Sequence, residues 1–448
     1  MKVFFNPKTV AVVGATEREK SVGRGLMENL LTDERNIIPV NPNHENILGM
    51  KAYPSISSIP EKIDLVVIAI PKNGVLEVVK SCAEKEVGGV ILISAGFGET
   101  GPDGKREEEE IKDILNQKNI PLIGPNCLGI VRPSTGLNAS FAPGTPKAGG
   151  VAFISQSGAL IDSVIDNSLD ENYGFSFLVS PGNAAGLSLV DYINWANEDE
   201  ETKVIALYIE GLGDGREFYE TIKNIEKPIV VIKGGKSEIS QKAVSSHTGS
   251  LAGEAEVFSA MLKQAGAIEA SSIGELFNVS KALSWQKPFK GGIGIVTNGG
   301  GVGVLMADYL EGESLPEMEK ETLSFMEELM HPGYSASNPL DIVGDASAER
   351  YEVAVEGVLR QNNINALVVI QTLQIMTEPE KNAKMLIEAQ EKHGKTVVAC
   401  FMGKGEKTKN AIALLERNRI PNYQDPLGAS QALKSLNLIG KKNEKNSF

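Results

Sequence analysis

Short apolar runs alternate with longer segments of helical period along most of the 448-residue chain. Val10–Val13, Leu65–Ile70, Val90–Ile93 and Pro121–Ile123 are runs of the first kind, and Gly74–Glu86 is a segment of the second. Strands that are apolar on both faces are covered by helices on both sides, so this alternation predicts parallel strands with crossover helices and an α/β fold. The first such unit closes near Gly129. From Arg132 to Gly150 the chain carries three prolines, several glycines and few periodic apolar positions, which reads as a connection between domains. The polar, uncapped tail Gly440–Phe448 is expected to fray.

Two later segments resemble each other. Gly149–Gly158 (GGVAFISQSG) and Gly291–Gly300 (GGIGIVTNGG) each read as a buried strand entering a small-residue turn and a helix. Val204–Glu210 is echoed by Ala366–Gln371, and Pro228–Lys236 by Thr396–Lys404. One such echo between apolar strands is common by chance, but three in the same order indicate an internal duplication of a flavodoxin-like, doubly wound unit. The expected organisation is a Rossmann-like domain at 1–130, a linker at 131–147, and two flavodoxin-like domains at 148–288 and 289–448.

Composition narrows the function. Apolar residues make up 42% and charged residues 23%, the balance of a folded globular protein. A formal charge of -14, with no basic block, leaves no footprint for nucleic acid. Three scattered cysteines form neither a disulfide framework nor a zinc site, so no metal is expected and a reducing cytoplasm fits. The opening MKVFFNPKTVAVVGA reads as a strand rather than a signal peptide, and no apolar run approaches the ~20 residues needed to span a bilayer.

Candidate chemistry gathers at the ends of the expected strands, where open parallel sheets bind ligands. The loop Gly14–Gly23 after the first strand lets backbone amides approach a phosphate at a helix N-terminus. Its glycine spacing is too long for the dinucleotide fingerprint, and the second strand ends in Asn41-Pro42 without an acidic residue. NAD is therefore disfavoured and a nucleotide of different reach, such as CoA, is allowed; a βα turn without ligand fits this loop equally well. Ile70-Pro71, Ser94–Gly98 and Gly124–Cys127 end on the same edge. Cys127 has no base or cation nearby in sequence and reads as a packed thiol.

His247 lies in Val244–Gly253, a run of Ser, Thr and Gly with no apolar face to pack, which describes a loop presenting one nucleophilic imidazole. Of the other histidines, His44 follows the second strand, His331 precedes a proline and His393 caps a helix. Glu210, at the end of the strand Val204–Ile209, is the carboxylate best placed in sequence to orient that imidazole. The second copy has Gln371 there and no histidine, with Lys404–Leu415 reading as a helix. Ser155-Gln156-Ser157-Gly158 passes straight from strand to helix, where free amides and the helix dipole would stabilise a phosphoryl group. A nucleophile elbow at Ser157 is the competing reading, and the Gly-x-Ser-x-Gly pattern is missing.

Together, Val12–Thr16, Gly124–Cys127, Ile154–Gly158, Tyr208–Gly211 and above all Ser246–Gly253 (SHTGSLAG) resemble the NDP-forming acyl-CoA synthetases, relatives of succinyl-CoA synthetase. Thr297–Gly301 and Asn338–Ile342 resemble the family's third domain, so the likeness covers nearly the whole chain. The resemblance implies an acid–thiol ligase that makes ATP from acyl-CoA, ADP and phosphate through an acyl phosphate and a phosphohistidine. It implies that His247 is phosphorylated, that Glu210 orients it, and that Ser155, Gln156, Ser157 and Gly158 hold the phosphate. CoA would sit on Gly14, Ala15, Thr16, Ser21, Gly23, Asn41, Pro42, Ile70, Pro71, Ser94, Ala95, Gly96 and Asn126. The family's ATP-grasp part is missing from the sequence, so ADP/ATP and Mg2+ are expected on a separate ATP-grasp beta subunit, in an alpha2beta2 heterotetramer. Two rivals are a non-enzymatic CoA-binding sensor or scaffold, against which His247 argues, and a succinyl-CoA synthetase-type ligase, against which the extra copy argues.

Overall fold

The computed structural model describes residues 2–32, 34–169, 172–241, 255–327, 330 and 333–445. These form two compact units, Met1–Ala270 and Ser271–Phe448.

Among the described residues the first unit holds two large sheets and a two-stranded antiparallel ribbon that pairs Asn46–Ile47 with Met50–Lys51. In the first sheet β1 (Thr9–Val13), β2 (Asn36–Val40), β3 (Leu65–Ile68), β4 (Gly89–Leu92) and β5 (Leu122–Ile123) run parallel in the order β2-β1-β3-β4-β5. Every residue of β3 and β4 is buried, as expected of strands sandwiched between helices. The helix Val75–Glu84 falls within the expected segment and buries Val75, Val79, Cys82 and Ala83.

The second sheet contains β6 (Gly129–Arg132), β7 (Leu137–Ser140), β8 (Ala148–Ser155), β9 (Phe175–Val179), β10 (Val204–Ile209), β11 (Ile229–Lys233) and β12 (Ile268–Glu269). Their order is β12-β11-β10-β8-β9-β6-β7. Five strands are parallel, and β6–β7 is an antiparallel hairpin added beside β9. This corrects the linker expected at 131–147. Leu137 and Ala139 are fully buried, and Arg132 is pinned to Asp199 by two 2.8 Å hydrogen bonds. The prolines and glycines that signalled a connection form the hairpin's turn at Pro133–Gly136, where Gly136 takes a left-handed φ of 70°, and the stretch that follows it. The N-terminal turn Lys2–Phe5 also docks on the second sheet, with Phe5 5.0 Å from Phe177 and Phe4 5.7 Å from Trp195 between ring centroids.

The second unit is built on β13 (Gly292–Thr297), β14 (Leu340–Asp341), β15 (Ile364–Gln371) and β16 (Thr396–Phe401), parallel in the order β14-β13-β15-β16. The helix Ile273–Trp285, expected with the preceding domain, lies in this unit. Its Lys281 is fastened to Glu416 at 3.0 Å and to the Asn422 carbonyl at 2.9 Å. The tail is a second correction: the last helix continues to Lys445. Gly440 packs so closely on Phe289 that a Cβ would lie 1.9 Å from the Phe289 carbonyl oxygen, and Glu444 pairs with Lys290. No described helix is long and apolar enough to cross a membrane.

Candidate active site

The carboxyl edge of the first sheet collects most of the residues expected to hold CoA. Gly14 leaves β1 at φ 94°, and a Cβ there would lie 2.3 Å from the Ala69 carbonyl oxygen. A Cβ on Gly23 would lie 2.1 Å from the Gly14 carbonyl oxygen, so both ends of the loop require glycine. Ser21 caps the helix Val22–Leu30, accepting from the Arg24 amide at 3.3 Å. Asn41 ties its strand end to this loop, donating from Nδ2 to the Ala15 carbonyl at 2.9 Å. Asn41, Pro42, His44, Lys51 and Pro54 line an adjoining cleft of about 570 Å³.

Farther along the edge, Ser94 Oγ donates to the Ile70 carbonyl at 2.6 Å and accepts from its amide at 3.2 Å, while the Asn126 amide donates to the Ser94 carbonyl at 3.0 Å. The structure therefore brings Ile70, Ser94 and Asn126 together. Thr16 Oγ1 is spent within its own turn on the Arg18 amide at 3.2 Å. Pro42, Pro71 and Ala95 are exposed at the rim. Cys127 is packed, donating to the Leu92 carbonyl at 3.3 Å, and burial pushes its thiol up to about 12.

The corresponding edge of the second sheet is organised by Gln156. Its Oε1 accepts from the amides of Glu210 at 2.5 Å and Gly211 at 3.1 Å, and its Nε2 donates to the Gly211 carbonyl at 2.9 Å. Ser155 Oγ accepts from the Ser157 amide at 3.1 Å and donates to the Ser157 carbonyl at 2.8 Å, making a tight turn into the helix Gly158–Leu169. Ser155 and Gln156 thus shape the site with their side chains. Ser157 Oγ accepts from the Leu160 amide at 3.4 Å, which leaves its hydroxyl proton and the amides of Gly158 and Ala159 to face an anion.

Glu210 emerges from β10 into this frame. Tyr208 donates from its hydroxyl to Glu210 Oε1 at 3.2 Å; burial and that carboxylate push the tyrosine up to about 12. Lys233 ends the neighbouring β11, its Nζ donating to the Glu210 carbonyl at 2.7 Å and to the Gly234 carbonyl. Burial holds the Lys233 ammonium below its usual pKa. His247 and the Val244–Gly253 loop lie outside the described residues, as does His331.

The duplication is visible bond by bond. In the second unit Thr297 Oγ1 accepts from the Gly299 amide at 3.0 Å and donates to its carbonyl at 3.1 Å, repeating the Ser155 turn. Asn298 repeats Gln156, accepting from the Thr372 amide at 2.8 Å and donating to its carbonyl at 2.9 Å. Gln371 takes the place of Glu210, but it is fully buried and accepts from Asn382 Nδ2 at 2.7 Å. The second copy keeps the frame and replaces the half-buried carboxylate with a fully buried amide.

Sequence reasoning missed two features. His393 pairs with Glu356 at 2.9 Å, and that carboxylate also binds Lys392 and Arg360 at 2.7 Å each. The pair joins the helices Ala348–Arg360 and Pro379–His393, away from the strand ends. The other is Asn183, which reaches from the second sheet to Glu99 and Glu108 of the first. The sequence signal for it was Pro181-Gly182-Asn183, a loop punctuated at a strand end.

Known proteins match this architecture sheet by sheet. Residues 8–133 match the CoA binding domain, 148–283 the succinyl-CoA ligase like flavodoxin domain and 293–435 the ligase-CoA domain. These matches mark a CoA-binding domain followed by two ligase domains, the domain set of a CoA ligase. The alpha subunit of acetate–CoA ligase [ADP-forming] II of Pyrococcus furiosus is 39% identical, over 97% of this chain and 96% of that one. Acetate–CoA ligase [ADP-forming] I of Archaeoglobus fulgidus is also 39% identical over 98% of this chain, which spans 64% of that longer relative. Among solved structures, the dinucleotide forming acetyl-coenzyme A synthetase 1 of Ca. Korarchaeum cryptofilum, in complex with phosphate and ADP, superposes with a TM-score of 0.93. It is 33% identical, over 100% of this chain and 98% of that one. The chain belongs to the family of ADP-forming acetate–CoA ligases.

Proposed function

We propose that this chain is the alpha subunit of an ADP-forming acyl-CoA ligase, handling CoA, the acyl group and phosphate. Phosphate attacks the thioester carbonyl, giving an acyl phosphate and free CoA. His247 then attacks phosphorus, the C–O–P bridge opens to release the carboxylate, and the phosphohistidine passes its phosphoryl group to ADP. In this reading Glu210 orients and charges the imidazole. The Ser157 hydroxyl and the helix start at Gly158 hold the phosphoryl oxygens, with Ser155 and Gln156 fixing the turn.

The observation that carries the reading is the Gln156 clamp, whose Oε1 accepts from the Glu210 amide at 2.5 Å and so ties the strand end that bears the carboxylate to the turn that opens the helix Gly158–Leu169. The glycine contacts at Gly14 and Gly23 support a shaped phosphate loop for CoA, because the helix start at Gly23 packs directly on the Gly14 carbonyl and Gly14 on the Ala69 carbonyl, approaches that a side chain would prevent. In this reading CoA lies along the strand-end loops that contain Gly14–Gly23, Asn41-Pro42, Ile70-Pro71, Ser94–Gly96 and Asn126.

ADP and its magnesium are assigned to an ATP-grasp beta subunit in an alpha2beta2 assembly. The Pyrococcus relative bears the name of an alpha subunit, and the Archaeoglobus relative carries additional chain. Three buried, unpaired cysteines fit a cytoplasmic setting. Co-expression with an ATP-grasp chain, followed by ATP synthesis assayed across several acyl-CoAs, tests the proposal. Acyl-dependent ATP formation by the pair and not by either chain alone is expected; a pair inactive with every thioester overturns it.

A further inference from the structure

The carboxyl edges of the first and second sheets are joined by a polar junction centred on one side chain. Asn183 Nδ2 donates to Glu99 Oε2 at 2.6 Å and to Glu108 Oε2 at 2.8 Å. Its Oδ1 accepts from Asn126 Nδ2 at 3.2 Å, and its backbone amide donates to the Pro125 carbonyl at 2.9 Å. The amide orientation follows from chemistry: turned over, its oxygen would face two carboxylates.

Those carboxylates shape the strand-end loop Ser94–Gly98. Glu99 accepts from the amides of Gly96 and Phe97, the latter at 3.2 Å, and Glu108 accepts from the Gly98 amide at 3.0 Å. Glu108 is 1% exposed and carries one further partner, Lys105 Nζ at 2.6 Å. Burial works against ionised Glu99, yet the bonds from Asn183 and from the Gly96 and Phe97 amides leave it below its usual pKa.

A buried carboxylate converging with a half-buried one is a poor adhesive, because apolar packing joins two layers at lower desolvation cost. Their advantage is directional: they set the angle of three successive amides. At its other end the Asn183 loop begins with Ser180, whose Oγ lies 3.8 Å from where a Gly158 Cβ would be. One short loop therefore runs from the phosphate-binding helix start to the edge expected to hold the CoA thioester.

We propose that Asn183 and Glu99 are positioning residues for thioester cleavage, holding the acyl end of acyl-CoA in register with phosphate at the Gly158 helix start. The inference rests on the function proposed above. It concerns only the half-reaction that contains the thioester. Phosphorylation of His247 from ATP, in the reverse direction, does not need that register.

The test compares two labelling routes in the full chain with its ATP-grasp partner: acetyl-CoA plus labelled phosphate, and γ-labelled ATP. Asn183→Ala and the isosteric Glu99→Gln are each expected to slow labelling from acetyl-CoA and phosphate at least tenfold and to raise the KM for acetyl-CoA. Labelling from ATP should stay within twofold of wild type. Equal loss by both routes would mean the junction only supports folding, and no loss by either would mean it positions nothing; each result overturns the inference. A wild-type assembly that labels by neither route overturns the underlying function instead.

Discussion

The repeated clamp allows a paired perturbation in which stability and chemistry should separate. Gln156→Ala removes three hydrogen bonds from the Glu210–Gly211 turn. Asn298→Ala removes four, to the Thr372 backbone and hydroxyl and to Gln374. Net, a hydrogen bond contributes about 0.5–1.5 kcal/mol, and a buried group left without a partner costs about 1–3 kcal/mol. Gln156 is half-buried, so water replaces part of what it loses, and about 2 kcal/mol is expected for its removal. Asn298 is 1% exposed, and about 3 kcal/mol is expected there. Denaturant unfolding of each variant gives the stability change. Labelling by acetyl-CoA and phosphate, at a temperature where both stay folded, gives the chemistry. Gln156→Ala should slow labelling at least tenfold because the Glu210 turn loosens, whereas Asn298→Ala should label like wild type despite its larger stability loss. If Asn298→Ala loses as much labelling as Gln156→Ala, the assignment of chemistry to one copy is wrong.

Further expectations concern individual groups. Gly23→Ala should weaken CoA binding at least tenfold by calorimetry, since its Cβ would be driven into the Gly14 carbonyl; unchanged affinity would remove this loop from the CoA site. Glu356 has a folded-state pKa of about 2, because the bonds from His393, Lys392 and Arg360 outweigh burial, which alone would raise it. Its stabilisation is therefore present above the ordinary carboxylate range and lost as pH falls toward 2, so Glu356→Gln should be less stable than wild type at pH 7, with the gap closing under acid. A gap independent of pH would contradict that charge assignment. Cys82, Cys127 and Cys400 are buried and each pushed up to about 12, so iodoacetamide at pH 8 should modify the native chain only after unfolding.

Strands covered on both faces carry their signature in short apolar runs, and β1, β3, β4, β8, β10, β13, β15 and β16 fall where those runs lie. The duplication was legible because Ser155/Thr297 and Gln156/Asn298 perform the same bonds in both copies and so hold the same places in sequence. The β6–β7 hairpin was not, because four-residue strands punctuated by Pro133 and Gly136 look like a loop until β9 supplies the pairing edge. The division of roles within Ser155–Gly158 was hidden too: nothing local says that the Gln156 amide is used up on a turn 54 residues away. Asn183 presents the same difficulty, since its partners lie 75 and 84 residues earlier in the chain.

The most direct measurement is the chemical identity of the labelled residue. The chain incubated with acetyl-CoA and labelled phosphate should acquire one label that acid removes and alkali spares, as a phosphoramidate requires. The label should map to His247, disappear in His247→Ala, and form at least tenfold more slowly in Glu210→Gln, because an amide cannot stabilise a developing imidazolium as a carboxylate does. A label on serine, or one that persists in His247→Ala, would contradict the phosphohistidine relay and return attention to Ser157.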